Sequence, residues 1–149
     1  MTTPASAPAA PVRPVALTVA FWLWIVDAVR GLITGIVTII VAPAAFAGQP
    51  EDVQRFATGF LIAFAVLGMI LSLLHLYFAF PMRAGRNWAR VVLTVLAAFT
   101  VLAVLIAMAS ATWYDWIGVV LVVVAAVLMY LPASNAYFRA RKRSAVAAV

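Results

Sequence analysis

Apolar residues run almost unbroken over 15–41, 56–80, 91–110 and 116–131, and these four runs constrain the fold more than any other feature of the chain. Crossing ~30 Å of hydrocarbon takes about 20 helical residues at 1.5 Å each, a length the first three runs reach. The fourth is shorter and is expected to borrow the interfacial turn Trp113-Tyr114-Asp115. In lipid every backbone amide and carbonyl must find an internal partner, so only helices or a closed barrel can span. A barrel would show ~10-residue segments of alternating polarity, and the sequence has none. The expected fold is all-α and polytopic, with four transmembrane helices arranged as two antiparallel hairpins. Residues 15–132 make up this domain. Residues 1–14 are a Pro/Ala-rich tail without periodicity, disordered or polyproline-like, and 133–149 are a basic tail whose first part can lie along the membrane as a short helix.

Composition points the same way. With 68% hydrophobic and 9% charged residues and a mean hydropathy of +1.16, the 149 residues carry more apolar surface than a soluble core of that size can hide. The absence of cysteine excludes disulfides, thiolate metal sites and cysteine nucleophiles. One histidine, His75, leaves too few ligands for zinc, haem or an iron–sulfur cluster. No metal and no cofactor is expected. A net charge of +6 would raise nucleic acid as a partner for a soluble protein, but here the bases gather at helix ends and read as topology.

Arg13 precedes the first run; Arg83, Arg86 and Arg90 fill the connection between the second and third; Arg139, Arg141, Lys142 and Arg143 follow the fourth. Glu51, Asp52, Arg55 and Asp115 occupy the other two connections. The positive-inside rule then puts both termini in the cytoplasm, in a multi-pass protein of the plasma membrane. Trp22, Trp24, Tyr77, Trp88, Tyr130 and Tyr137 are read as an inner aromatic belt, and Phe56, Trp113, Tyr114 and Trp116 as an outer one. Ala45-Phe46-Ala47 resembles a signal-peptidase site, but the preceding apolar run far exceeds a 7–15-residue signal core, so the first helix is expected to stay uncleaved. Pro43, Pro81 and Pro132 are expected to stop helices, and Asn87, after the glycine turn at Gly85, to cap the third.

Within the first run Asp27 and Arg30 lie three residues apart, on one helical face at membrane depth. Each such charge costs roughly 2.5–3.5 kcal/mol to insert, and persists where it faces protein, pairs, or serves a polar path. His75 lies about five residues before the end of the second run, at a depth similar to that of Asp27. The two can meet, with Arg30 a turn further in and Ser72 a turn from His75. This network fits a structural polar knot, in which Asp27 neutralises Arg30, or a proton site built on Asp27 and His75. A serine hydrolase built on Ser72 and His75 lacks a nucleophile turn and an oxyanion-hole signature. Gly31, Gly35 and Gly68 are the expected points of close helix approach. Arg83, Arg86, Arg90, Arg139, Arg141, Lys142 and Arg143 either set topology or hold anionic lipid head groups at the inner face.

The stretch Arg83-Ala84-Gly85-Arg86-Asn87-Trp88-Ala89-Arg90 leading into Val91-Val92-Leu93-Thr94, together with Tyr130-Leu131-Pro132-Ala133-Ser134-Asn135-Ala136-Tyr137-Phe138, resembles small four-helix membrane proteins of high-GC actinobacteria whose function is not known. A single lysine beside nine arginines suits that origin. The resemblance implies the four-helix topology and no activity. The functional expectation is a non-enzymatic accessory or assembly component of a larger membrane complex, or a self-associating protein. The alternative is a small proton-coupled transporter using Asp27.

Overall fold

The computed structural model describes residues 12–109 and 111–147. Among these the chain is all-α: α1 (Val15–Ala45), α2 (Glu51–Arg83), α3 (Asn87–Ile106), α4 (Trp113–Tyr130) and α5 (Pro132–Ala147), with no strand. The first four are long and apolar enough to cross a membrane, the signature of a multi-pass membrane protein. Most of the expected tail over 1–14 lies outside the described residues, as does Ser110. Each long helix packs on two others, α1 on α2 and α4, and α3 on α2 and α4, which closes a ring. Large apolar side chains such as Ile33, Phe64, Leu102 and Val124 point outward along every helix, the arrangement expected where lipid and not water surrounds the bundle.

Two prolines do not stop helices where the sequence suggested. α1 continues through Pro43 to Ala45, and α2 through Pro81 to Arg83. Each sits in a final turn, where the missing amide costs one bond and little of the helix follows. After Pro81 the chain closes a Schellman motif: Arg86 N–H donates to the Pro81 carbonyl at 3.0 Å and Gly85 N–H to that of Met82 at 2.9 Å. Gly85 takes φ +85°, which favours glycine. Because this motif extends to Arg86, Asn87 is already the first helical residue of α3 and caps nothing.

At the end of α4 the four carbonyls that a helix leaves unbonded all find donors. Ser134 Oγ donates to Leu128 O at 2.9 Å, Arg90 Nη1 to Met129 O at 3.2 Å, Asn135 Nδ2 to Tyr130 O at 2.8 Å, and Asn135 N–H to Leu131 O at 2.9 Å. Leu131 is extended (ψ 151°), and Pro132 opens α5 with its ring where no amide is needed. Arg90 also donates to Asn135 Oδ1 and stands over the rings of Tyr130 and Phe138. This arginine therefore ties α3 to the α4–α5 elbow and is more than a topology charge.

The apolar core lies at this same end of the bundle, built from Leu17, Phe21, Trp24, Met82, Leu93, Val122 and Met129 with alanines between them. Trp24 and Tyr137 belong to it, at 0% and 6% exposure, and so are not part of an aromatic belt; Trp22, at 57%, faces outward. Toward the other end the helices bury little beyond Ala42, Ala65 and Gly118. The bundle is tight at one end and loose at the other. Asn135→Ala should strand Tyr130 O and release Arg90, lowering stability by roughly 1–3 kcal/mol in thermal unfolding of the detergent-solubilised protein. Asn87→Ala, which removes no cap, should change it by less than about 0.5 kcal/mol.

Candidate functional site: the Asp27 node

The network forms where the tight end of the bundle gives way to the loose one. Asp27 is 4% exposed and uses its two oxygens separately. Oδ1 accepts from Arg30 Nη2 at 3.0 Å and Nε at 3.3 Å; Oδ2 faces His75 Nδ1 at 3.8 Å. The i,i+3 spacing places Arg30 beside Asp27 on α1 without any help from tertiary structure. His75, on α2, is 2% exposed and stacks on Trp24, with ring centroids 5.0 Å apart and planes 27° from parallel. Its Nε2, like Trp24 Nε1, makes no hydrogen bond among the described residues. The stack holds the plane of the imidazole, whose Nδ1 faces the carboxylate.

Arg30 carries the node across to α4. Its guanidinium lies 5.3 Å from the centroid of the Tyr114 ring and rests against Gly118, where any Cβ would collide with it. Three helices thus converge on one ion pair: α1 supplies Asp27 and Arg30, α2 meets the carboxylate through His75, and α4 meets the guanidinium through Tyr114 and Gly118. The sequence pattern suggested belts for Trp24 and Tyr114 and no role beyond small size for Gly118. The i,i+4 spacing of Tyr114 and Gly118, an aromatic above a missing side chain on one face, was the signal available.

The remaining expected residues divide. Gly31 and Gly35 do permit close approach: a Cβ on Gly31 would strike Ser72, and one on Gly35 would strike Met69. Ser72 is buried at that contact, but its hydroxyl is spent on its own helix, donating to Gly68 O at 2.9 Å, and does not join the Asp27 network. Gly68, by contrast, is not a point of close helix approach. Nothing lies within 4 Å of where its Cβ would be, so it brings no helices together. It lines a cavity of about 220 Å³ running between the helices from Asp27 and His75 past Thr34 and Thr100 to Asp115. Asp115 there accepts from Thr112 N–H at 2.8 Å, which anchors the start of α4.

Among the charges expected at the basic end, Arg83 stands over the Phe21 ring at 4.5 Å and Arg141 donates to Ala84 O at 3.3 Å. The side chains of Arg86, Arg139 and Lys142 make no hydrogen bond or ion pair among the described residues and, with those of Arg90 and Arg141, line a separate cleft. Arg143 lies exposed outside it. No group of three or more His, Cys, Asp or Glu side chains able to hold a metal occurs among the described residues. No protein-family model, curated protein or solved structure matches the chain.

Gly118→Ala should displace the Arg30 guanidinium and cost roughly 1–3 kcal/mol as an overpacked contact. Gly68→Ala, with open space before it, should fall within about 0.5 kcal/mol of the parent. Unfolding of the two variants side by side in one detergent reads the difference.

Proposed function

We propose that this chain is a non-enzymatic integral membrane protein that serves as an accessory or assembly component of a larger membrane complex. Its four spans form two antiparallel hairpins with both termini in the cytoplasm. The observation that carries the reading is the commitment of Arg30: bonded to Asp27, set against Gly118 and beside Tyr114, its part-buried side chain is engaged by its own helix and by α4. A charge used in this way holds helices in register, the best-attested role of a buried polar group. Ser72, the one serine near His75, has its hydroxyl on a helix carbonyl, which removes support from nucleophilic catalysis. The clustering of Arg13, Arg83, Arg86 and the basic α5 at one end, opposite Glu51, Asp52 and Asp115, supports the orientation.

The cavity favours a second reading, a small proton-coupled transporter. It reaches Asp27 and His75 through a lining that includes Thr34 and Thr100, the kind of polar path that intramembrane acids serve.

Isolation of a tagged copy from its native membrane in mild detergent tests the first reading. A stoichiometric partner should co-elute; a clean self-associated protein, with proton flux in liposomes above that of empty vesicles, would replace the accessory role with transport. Asp27→Asn alone should cost up to ~3–5 kcal/mol by leaving the part-buried Arg30 unpaired, and Asp27→Asn with Arg30→Gln should recover most of it while keeping the partner. Orientation is read with single cysteines in this cysteine-free chain. Gln49→Cys should label from outside intact cells, and Thr3→Cys and Ser144→Cys only after permeabilisation.

A further inference from the structure

The second cavity is larger than the one at Asp27 and lies elsewhere. At the basic end, the α2–α3 turn and α5 enclose an open cleft of about 990 Å³. Arg86, Arg90, Arg139, Arg141 and Lys142 line it, with Phe138 forming part of its apolar floor. These five cations come from three places in the chain: the turn after α2, the first turn of α3, and α5. The Schellman motif at Gly85 and the α4–α5 elbow at Pro132 bring them together, so the cleft is a product of the fold and not of a single basic run.

Charge balance makes it unusual. The whole chain has four acidic residues, Asp27, Glu51, Asp52 and Asp115. None lines the cleft. Glu51 and Asp52 begin α2 and Asp115 begins α4, whereas the cleft lies where those two helices end. At 1.5 Å per residue the 33-residue α2 alone separates the ends by roughly 50 Å, several Debye lengths. Arg90 and Arg141 are anchored by hydrogen bonds to Met129 O and Ala84 O. They offer fixed positive charge, while the side chains of Arg86, Arg139 and Lys142 have no partner among the described residues. Arg90 Nε is buried and also makes no hydrogen bond among them. Fixed guanidiniums beside unspent ones, over an apolar floor, suit a ligand with a tetrahedral anion and a nonpolar attachment.

We propose that this cleft binds a phosphate-bearing anion, with Arg86, Arg139 and Lys142 supplying the recognition and Arg90 and Arg141 the fixed field. Its position at the ends of the spanning helices places it where lipid phosphates lie. A soluble phosphate compound presents the same chemistry. The detergent-solubilised full chain is titrated with dihexanoyl phosphatidylglycerol, dihexanoyl phosphatidylcholine and inorganic phosphate, and binding is read by native mass spectrometry and calorimetry. The phosphatidylglycerol should bind one-to-one and the phosphatidylcholine much more weakly; binding of inorganic phosphate at comparable strength would identify a soluble source for the same site. Arg86→Gln/Arg139→Gln/Lys142→Gln should weaken binding about a hundredfold, from about 1 kcal/mol per basic residue at tenfold per 1.4 kcal/mol. Arg13→Gln/Arg55→Gln/Arg143→Gln removes three charges that do not line the cleft and so cannot contact a ligand held in it, and should leave binding within about threefold. Equal losses in the two triple variants, or no saturable binding of either anion by the parent, would overturn the proposal. The variant side chains are exposed apart from contacts within the cleft, and Lys142→Glu alone, at an exposed position on the cleft, provides a second reading with the same expected direction.

Discussion

A carboxylate and a guanidinium three residues apart on a lipid-embedded helix have to be neutralised without bulk water, and α1 can do only part of that alone. The helical repeat brings Arg30 onto Asp27 Oδ1. It leaves the second oxygen and the far side of the guanidinium exposed to a medium that cannot solvate them. His75 on α2 faces the first and Tyr114 on α4 the second. The demand for partners therefore selects the neighbours of α1, and the closed ring of four helices follows, with α3 completing it between α2 and α4. Gly118 and the Trp24 stack are the local adjustments that give the node room and orientation.

The node also divides the bundle. On one side of it, alanines at 20, 79, 89, 97 and 125 let Trp24, Leu93 and Met129 interlock, the small-residue packing that stands in for hydrophobic drive between helices in lipid. That end is finished by polar work: the Schellman motif of α2 and the fully bonded carbonyls of α4, both tied to Arg90 or α5. On the other side the helices hold fewer buried side chains and a cavity remains. The bundle is thus anchored at its basic end and looser at the other.

The sequence was read correctly where physics is local or averaged over a whole run. Twenty or so apolar residues specify a span whatever surrounds them, and the i,i+3 spacing of Asp27 and Arg30 specifies their pairing. The depth match of Asp27 and His75 came from counting along two helices from their ends. The misreadings arose where tertiary context decides. Pro43 and Pro81 are tolerated because they fall in last turns, and Asn87 is displaced from the cap by a motif whose reach depends on Gly85. Trp24 looks like its neighbour Trp22 on paper, yet one faces His75 and the other lipid. Gly68 has the spacing of a packing glycine but faces a cavity, a distinction carried by the opposing helices alone. The role of Asn135 in closing α4 is shared with Arg90, 45 residues earlier in the chain, which bonds both Asn135 and Met129 O.

The central claim is that Arg30 is held by Asp27 inside the bundle and does not reach for the membrane surface. Solid-state NMR of the protein in lipid bilayers, with arginine guanidinium nitrogens labelled with ¹⁵N and aspartate carboxyl carbons with ¹³C, measures this directly. Arg30→Lys identifies the Arg30 signal. A strong dipolar contact between the Arg30 nitrogen and the Asp27 carboxyl carbon, of the strength that an N–O separation of 3.0 Å implies, with slow exchange of the guanidinium protons with water, is the result expected. An Arg30 signal with no carboxylate contact and rapid proton exchange would place its head group in water and contradict the account.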